Sequence, residues 1–135
     1  MTDEELIEKK IDLINENLEY LEGKDLKDAD FERVQAVKYS LLESIEACLD
    51  IANHIISSEG YKRAETYGEM FEILGKEEIL EEELVSGLAQ MAGFRNLLLH
   101  RYGDIRHDQL QEIIEEDLND FTDFIQQIQE FMVNQ

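Results

Sequence analysis

Apolar residues recur along this chain at helical spacing, and no proline interrupts them. Ile7, Ile11, Ile14, Leu18 and Leu21 advance by alternating steps of four and three, which lays one stripe along a helix. Gly23 marks its end. A second stripe runs Phe31, Val34, Leu41, Ile45, Leu49, Ala52 and Ile56, widened by Val37, Leu42 and Ile55. With Asp28 or Asp30 as its cap, this pattern predicts a helix of about 27 residues that stops near Ser57–Gly60. The segment 61–80 is less regular, with a short helix expected over Thr66–Leu74 and Gly75 as its stop. A fourth helix fits 77–102, with Leu80, Leu84, Leu88, Met91 and Leu98 inward and Gly103 as the breaker. Leu110, Ile114, Leu118, Phe121, Ile125, Ile128 and Met132 form the last stripe. Thr2 with Glu5, and Asp108 with Gln111, have the spacing of capping boxes. No strand-period segment competes, so the expectation is all-α: an antiparallel helical bundle of four to five helices in one domain over 1–135.

Composition narrows the function classes. The net charge is −21, a field that repels nucleic acid at long range and argues against a general nucleic-acid binder, DNA included. A single cysteine, Cys48, excludes an internal disulfide framework and fits a reducing compartment. No apolar run has signal-peptide or membrane-span length, so a cytoplasmic protein without membrane association is expected.

Against this acidic background, 95–107 holds Arg95, Arg101 and Arg106 with one acid, Asp104, plus His100 and His107. Within it, Arg95-Asn96-Leu97-Leu98-Leu99-His100-Arg101-Tyr102 packs a guanidinium, a carboxamide, an imidazole and a phenol into eight residues. These groups suit metal-free RNA cleavage. A base removes the 2′-hydroxyl proton and the oxygen attacks the adjacent phosphorus. Histidine titrates near neutrality, and arginine offers paired donors to phosphate oxygens. Asn96 would orient the imidazole, and Tyr102 would stack on a base or donate a hydrogen bond. Arg101 and Arg106 would form a basic rim. Asn96 and His100, four apart, share a helix face, whereas Arg95 and His100 project about 140° apart. One straight helix does not converge them, so a working site would be composite, built from two copies across a two-fold axis. Gly93 would allow the close helix approach. The plainer reading is that Arg and His near a helix C-terminus answer the helix dipole, with Tyr102 as packing.

The run Arg95 to His100 resembles the signature of the HEPN superfamily: Arg, a polar residue, three more positions, His. The extension to Tyr102, with Tyr-Gly-Asp-Ile at 102–105, is similar to the HepT-like branch, the toxin half of toxin–antitoxin pairs. The resemblance implies the HEPN bundle, a homodimer with both motifs in one cleft, and a metal-independent endoribonuclease without cofactor. Arg95 and His100 would be its essential pair, with Asn96 supporting. It also implies a minimal nucleotidyltransferase antitoxin as partner, one that silences the toxin by transferring AMP to Tyr102. The competing reading is a non-catalytic HEPN module that binds nucleotide or the nucleotidyltransferase. A plainer one still is a helical dimer with no site.

Other residues take ordinary expectations. His54 is a partly buried or surface histidine, Cys48 a buried inert thiol, and Tyr61 and Tyr67 packing residues. Lys62 and Arg63 give loop solubility, or else widen the positive rim. His107 and Asp104 lack the ligand spacing of a metal site. The acidic faces at 77–83 and 112–123 are solvated, or else meet a basic antitoxin.

Overall fold

The computed structural model of the protein describes residues 3–100 and 104–135. Thr2, Arg101, Tyr102 and Gly103, on which a capping box, half of the basic rim, the modification site and a helix stop were placed, lie outside the described residues. Among the described residues, six α-helices follow one another: α1 (Asp3–Leu21), α2 (Phe31–Glu59), α3 (Tyr67–Lys76), α4 (Glu82–His100), α5 (His107–Glu112) and α6 (Leu118–Val133). A π turn (Ile113–Asp117) joins α5 to α6. No strand occurs among the described residues.

The stripes become the core. Ile7, Ile11, Ile14, Leu18 and Leu21 are all buried against α2. Polar pairs along that seam fix an antiparallel register. His54 meets Asp3 at 2.6 Å, Lys10 meets Asp50 at 3.0 Å, and Asn17 Nδ2 donates to Glu43 at 2.9 Å. Asp30 is the α2 cap: its carboxylate accepts from the Arg33 N–H at 2.9 Å, while Asp28 stands in the left-handed region with φ 60°. Phe31, read as the first core residue of α2, is 77% exposed. It sits at the first helical position, and the register set by Asn17 and Glu43 puts the last residue of α1, Leu21, about two turns further along α2. Gly60 ends α2 with φ 73°, which a glycine adopts without strain.

α3 is capped by Thr66, whose Oγ1 accepts from the Glu69 N–H at 3.1 Å. Gly75 does not stop it. The helix runs on to Lys76, and a Cβ on Gly75 would lie 2.8 Å from Val85 Cγ2, so this glycine serves close approach to α4. α4 begins at Glu82 rather than 77. The Ile79 N–H and Leu80 N–H both turn back to the Leu74 carbonyl, which buries both side chains ahead of the helix. α6 runs antiparallel to α4: Gln127 accepts from the Glu81 N–H at 2.8 Å, and Asp120 faces Gly87. An edge-to-face contact between Phe71 and Phe124, centroids 5.9 Å apart, locks α3 to α6.

Asp108 and Gln111 do not form the expected box. The α5 cap position belongs to Arg106, whose N–H donates to Gln109 Oε1 at 3.2 Å. Gln111 instead reaches the loop after α1, accepting from the Leu26 N–H at 2.7 Å and donating to the Lys24 carbonyl at 3.1 Å. No described helix is long and apolar enough to cross a membrane.

Candidate active site on α4

α4 carries the motif on its C-terminal half. Leu98 and Met91 point into the core, which turns Asn96 and His100, one helical turn apart, to the exposed side. Arg95 takes a different direction. Its Nε donates to Glu46 Oε1 on α2 at 2.7 Å, and its guanidinium carbon lies 4.4 Å from the Tyr67 ring centroid, at the start of α3. The Arg95 side chain is 14% exposed, and that of Glu46 is 37% exposed. Arg95 is thus a charge-assisted donor held between a carboxylate and an aromatic face. It turns inward and sideways while His100 stands outward at the helix end, the divergence that their five-residue spacing dictates.

Beside Arg95 lies a groove of about 700 Å³ between α2, the loop after it, α3 and α4. Asn53, Arg63, Thr66, Tyr67, Gly93 and Asn96 are among its lining residues. Tyr67 joins the two features, since it both lines the groove and carries Arg95. Gly93 is exposed, and a Cβ there would meet nothing within 4 Å. Arg63, one of the two loop cations, reaches the groove. Arg106 stays at the surface, its Nε and Nη2 on the Asp108 carboxylate at 3.0 and 3.1 Å, so its charge is locally offset. His54 is committed to Asp3. Cys48 is fully buried, and burial pushes its thiol far up, which leaves no thiolate for chemistry. Among the described residues, no group of three His, Cys, Asp or Glu could hold a metal.

The sequence pattern brings Arg95, Asn96 and His100 to one helix end but hides two neighbours. Glu46 is one acid among 33 Asp and Glu and lies 49 positions from Arg95. Tyr67, read as packing, is 42% exposed and acts as the platform for the guanidinium. Only tertiary contact reveals either.

A second acidic feature lies on the far side of α4, where Asp117 and Asp120 border a smaller cleft of about 260 Å³. Both carboxyls titrate above the usual carboxylate range. Burial is the main cause, and neighbouring carboxylates add to it: Glu112 and Glu116 for Asp117, Asp117 and Asp123 for Asp120.

Comparison with known proteins agrees with this architecture. Over 134 residues the chain is 34% identical to the tRNA nuclease HepT of Aphanizomenon flos-aquae, covering 95% of this chain and 90% of the relative. It is 30% identical over 106 residues to the mRNA nuclease HepT of Shewanella oneidensis, covering 78% of this chain and 79% of that one. The solved structure of the tri-AMPylated HEPN toxin of Shewanella oneidensis, in complex with an MNT antitoxin, superposes with a TM-score of 0.85 at 28% identity, over 96% of this chain and 99% of that one. The family model described as Ribonuclease HepT-like matches residues 7–128, nearly the whole helical bundle, and the chain belongs to that family.

Proposed function

We propose that this HepT-like ribonuclease is the toxin of a toxin–antitoxin pair, cutting RNA without a metal in a cleft shared by two copies of the chain. The observation that carries the reading is the placement of Arg95, a braced cation beside an open groove, on the helix that exposes Asn96 and His100. His100 takes the proton of a 2′-hydroxyl. The 2′-oxygen forms a bond to phosphorus, the 5′-oxygen leaves and is protonated, and a 2′,3′-cyclic phosphate remains. Arg95 stabilises the phosphorane with its Nη donors, and Asn96 orients the imidazole or the phosphate.

Because Arg95 and His100 diverge on one helix, the complete set of groups is assembled from two subunits, with α4 of each facing the other. The exposed surface of Gly93 and Asn96 supports that contact. The partner protein is a minimal nucleotidyltransferase that silences the cleft by moving AMP onto the Tyr102 phenol. The added bulk and negative charge there repel RNA. The toxin acts in the cytoplasm.

The test is cleavage of mixed RNA by unmodified protein, verified by mass, in the presence of chelator. Wild type should cut, whereas Arg95→Ala and His100→Ala should lose cleavage while keeping the wild-type unfolding midpoint. Cleavage retained by either purified variant would remove that residue from its role. Silence from unmodified wild type would favour a non-catalytic module that binds nucleotide or the transferase.

A further inference from the structure

Arg95 is held by two groups that constrain it in different ways. The Glu46 carboxylate takes Nε in the plane of the guanidinium, at 2.7 Å. The guanidinium carbon lies over the Tyr67 ring, 4.4 Å from its centroid. A bond to one edge and a ring under the central carbon together restrain the group from two directions. The two Nη nitrogens, with four N–H donors, lie outside the Glu46 bond. Each holder comes from a different helix: Glu46 from the middle of α2, Tyr67 from the first position of α3, where the Thr66 cap fixes the turn. We propose that Glu46 and Tyr67 are positioning residues for Arg95, presenting its Nη edge to the reacting phosphate. This rests on the ribonuclease reading above.

A carboxylate beside a phosphate site works against substrate binding, so its presence calls for an advantage later in the reaction. That advantage is alignment. The phosphorane gathers charge at positions that differ from the ground-state phosphate, and donors fixed in advance need no reorganisation when that charge appears. A long, rotamer-rich arginine left loose would spend most of its time elsewhere, and misplacement of about 1 Å costs roughly 100-fold in rate. The same ion pair could instead be a lock that withholds Arg95 from RNA. The two roles predict opposite signs on removal.

The experiment compares Glu46→Ala, Glu46→Gln, Tyr67→Leu and Tyr67→Phe in the unmodified protein, measuring kcat, KM and the binding of a 2′-O-methyl RNA that cannot be cut. Glu46→Ala and Tyr67→Leu should lower kcat roughly 10- to 100-fold. Affinity for 2′-O-methyl RNA should not fall by more than about threefold, because misalignment acts on the transition state, and Glu46→Ala, which removes the repelling charge, should bind it tighter. Glu46→Gln keeps an acceptor for Nε and removes the repelling charge, so it should recover most of kcat with a lower KM. Tyr67→Phe keeps the ring and should likewise recover most of kcat. Should Glu46→Ala not fold, the Tyr67 pair carries the same comparison. Faster cleavage by Glu46→Ala overturns the proposal in favour of a lock. A wild type that cuts, beside Glu46→Ala and Tyr67→Leu cutting as fast, overturns the positioning alone. A wild type that cuts nothing overturns the ribonuclease reading, and this proposal with it.

Discussion

Two glycines six residues apart on α4 should respond oppositely to alanine. In a helix interior alanine is favoured over glycine by about 1 kcal/mol. At Gly93 a new Cβ meets nothing within 4 Å, so the whole gain is available. At Gly87 the same Cβ lies 2.5 Å from Asp120 Oδ2 and 3.1 Å from its Cγ, well inside the roughly 3.5 Å of a relaxed contact. Asp120 is short and half-buried on α6, so relief requires a shifted rotamer or a parted helix pair, at about 1–3 kcal/mol. The net for Gly87→Ala is a loss of about 1 kcal/mol, and the two variants should lie about 2 kcal/mol apart. For a chain of 135 residues that is a difference in Tm of roughly 7 °C. Urea unfolding with unchanged m-values supplies the free energies. Repeated across a hundredfold range of protein concentration, the same titration tests the proposed dimer. Gly93→Ala should surrender part of its gain as concentration rises, because its methyl then meets the facing helix. Equal midpoints for the two variants would refute the Asp120 contact. A gain at Gly93 that ignores concentration would refute its place at the subunit contact.

Other perturbations probe separate parts of the bundle. Asp120 binds its proton more tightly folded than unfolded, since burial and then Asp117 and Asp123 raise its carboxyl. Between the ordinary carboxylate pKa, roughly 4, and that raised value, stability therefore falls as pH rises. Asp120→Asn should stabilise the protein at pH 7 and leave it unchanged near pH 3, as followed by thermal unfolding; an equal effect at both pH values would contradict the linkage. Phe124→Ala empties a fully buried site against Phe71 and should cost about 3–5 kcal/mol in urea titrations. Gln111→Ala removes both side-chain bonds to the loop at 24–26 and should cost about 1–2 kcal/mol, with faster amide exchange at Leu26 as its local signature.

The helices were legible because burial on one side imposes a period, and residues such as Ile14, Leu41 and Ile128 have no other way to leave water together. What escaped the pattern follows physical lines. Phe31 matches the period but lies beyond the reach of α1, and spacing carries no information about where a neighbour ends. Gly75 read as a stop because glycine ends helices, whereas here it admits Val85. Asp108 and Gln111 had the right spacing for a cap, but the Gln111 amide found two backbone partners 85 and 87 positions away. The motif on α4 was visible as chemistry, and the divergence of Arg95 from His100 followed from the helical angle. Glu46 and Tyr67 were invisible because no local rule selects one acid or one aromatic from another helix.

The π turn was also hidden. Leu110, Ile114 and Leu118 take two successive four-residue steps, as Leu41, Ile45 and Leu49 do within the uninterrupted α2, so the spacing did not betray a wider turn. Its consequence concerns how the gene tolerates a change of length. A residue gained or lost in a regular helix rotates everything beyond it by about 100°. A π turn confines such a change to one loosened coil, because it is a helix with a residue to spare. Deleting one codon within 113–117 would restore a regular helix there and leave α5 and α6 close to their present directions, with Phe121, Phe124 and Ile128 still anchoring α6. The same deletion between Phe121 and Phe124 would instead turn the rest of α6 by about 100° and carry Ile128 out of the core. The turn at 113–117 is therefore where this part of the chain should best tolerate the loss of one codon, and the regular α6 where it should tolerate it least.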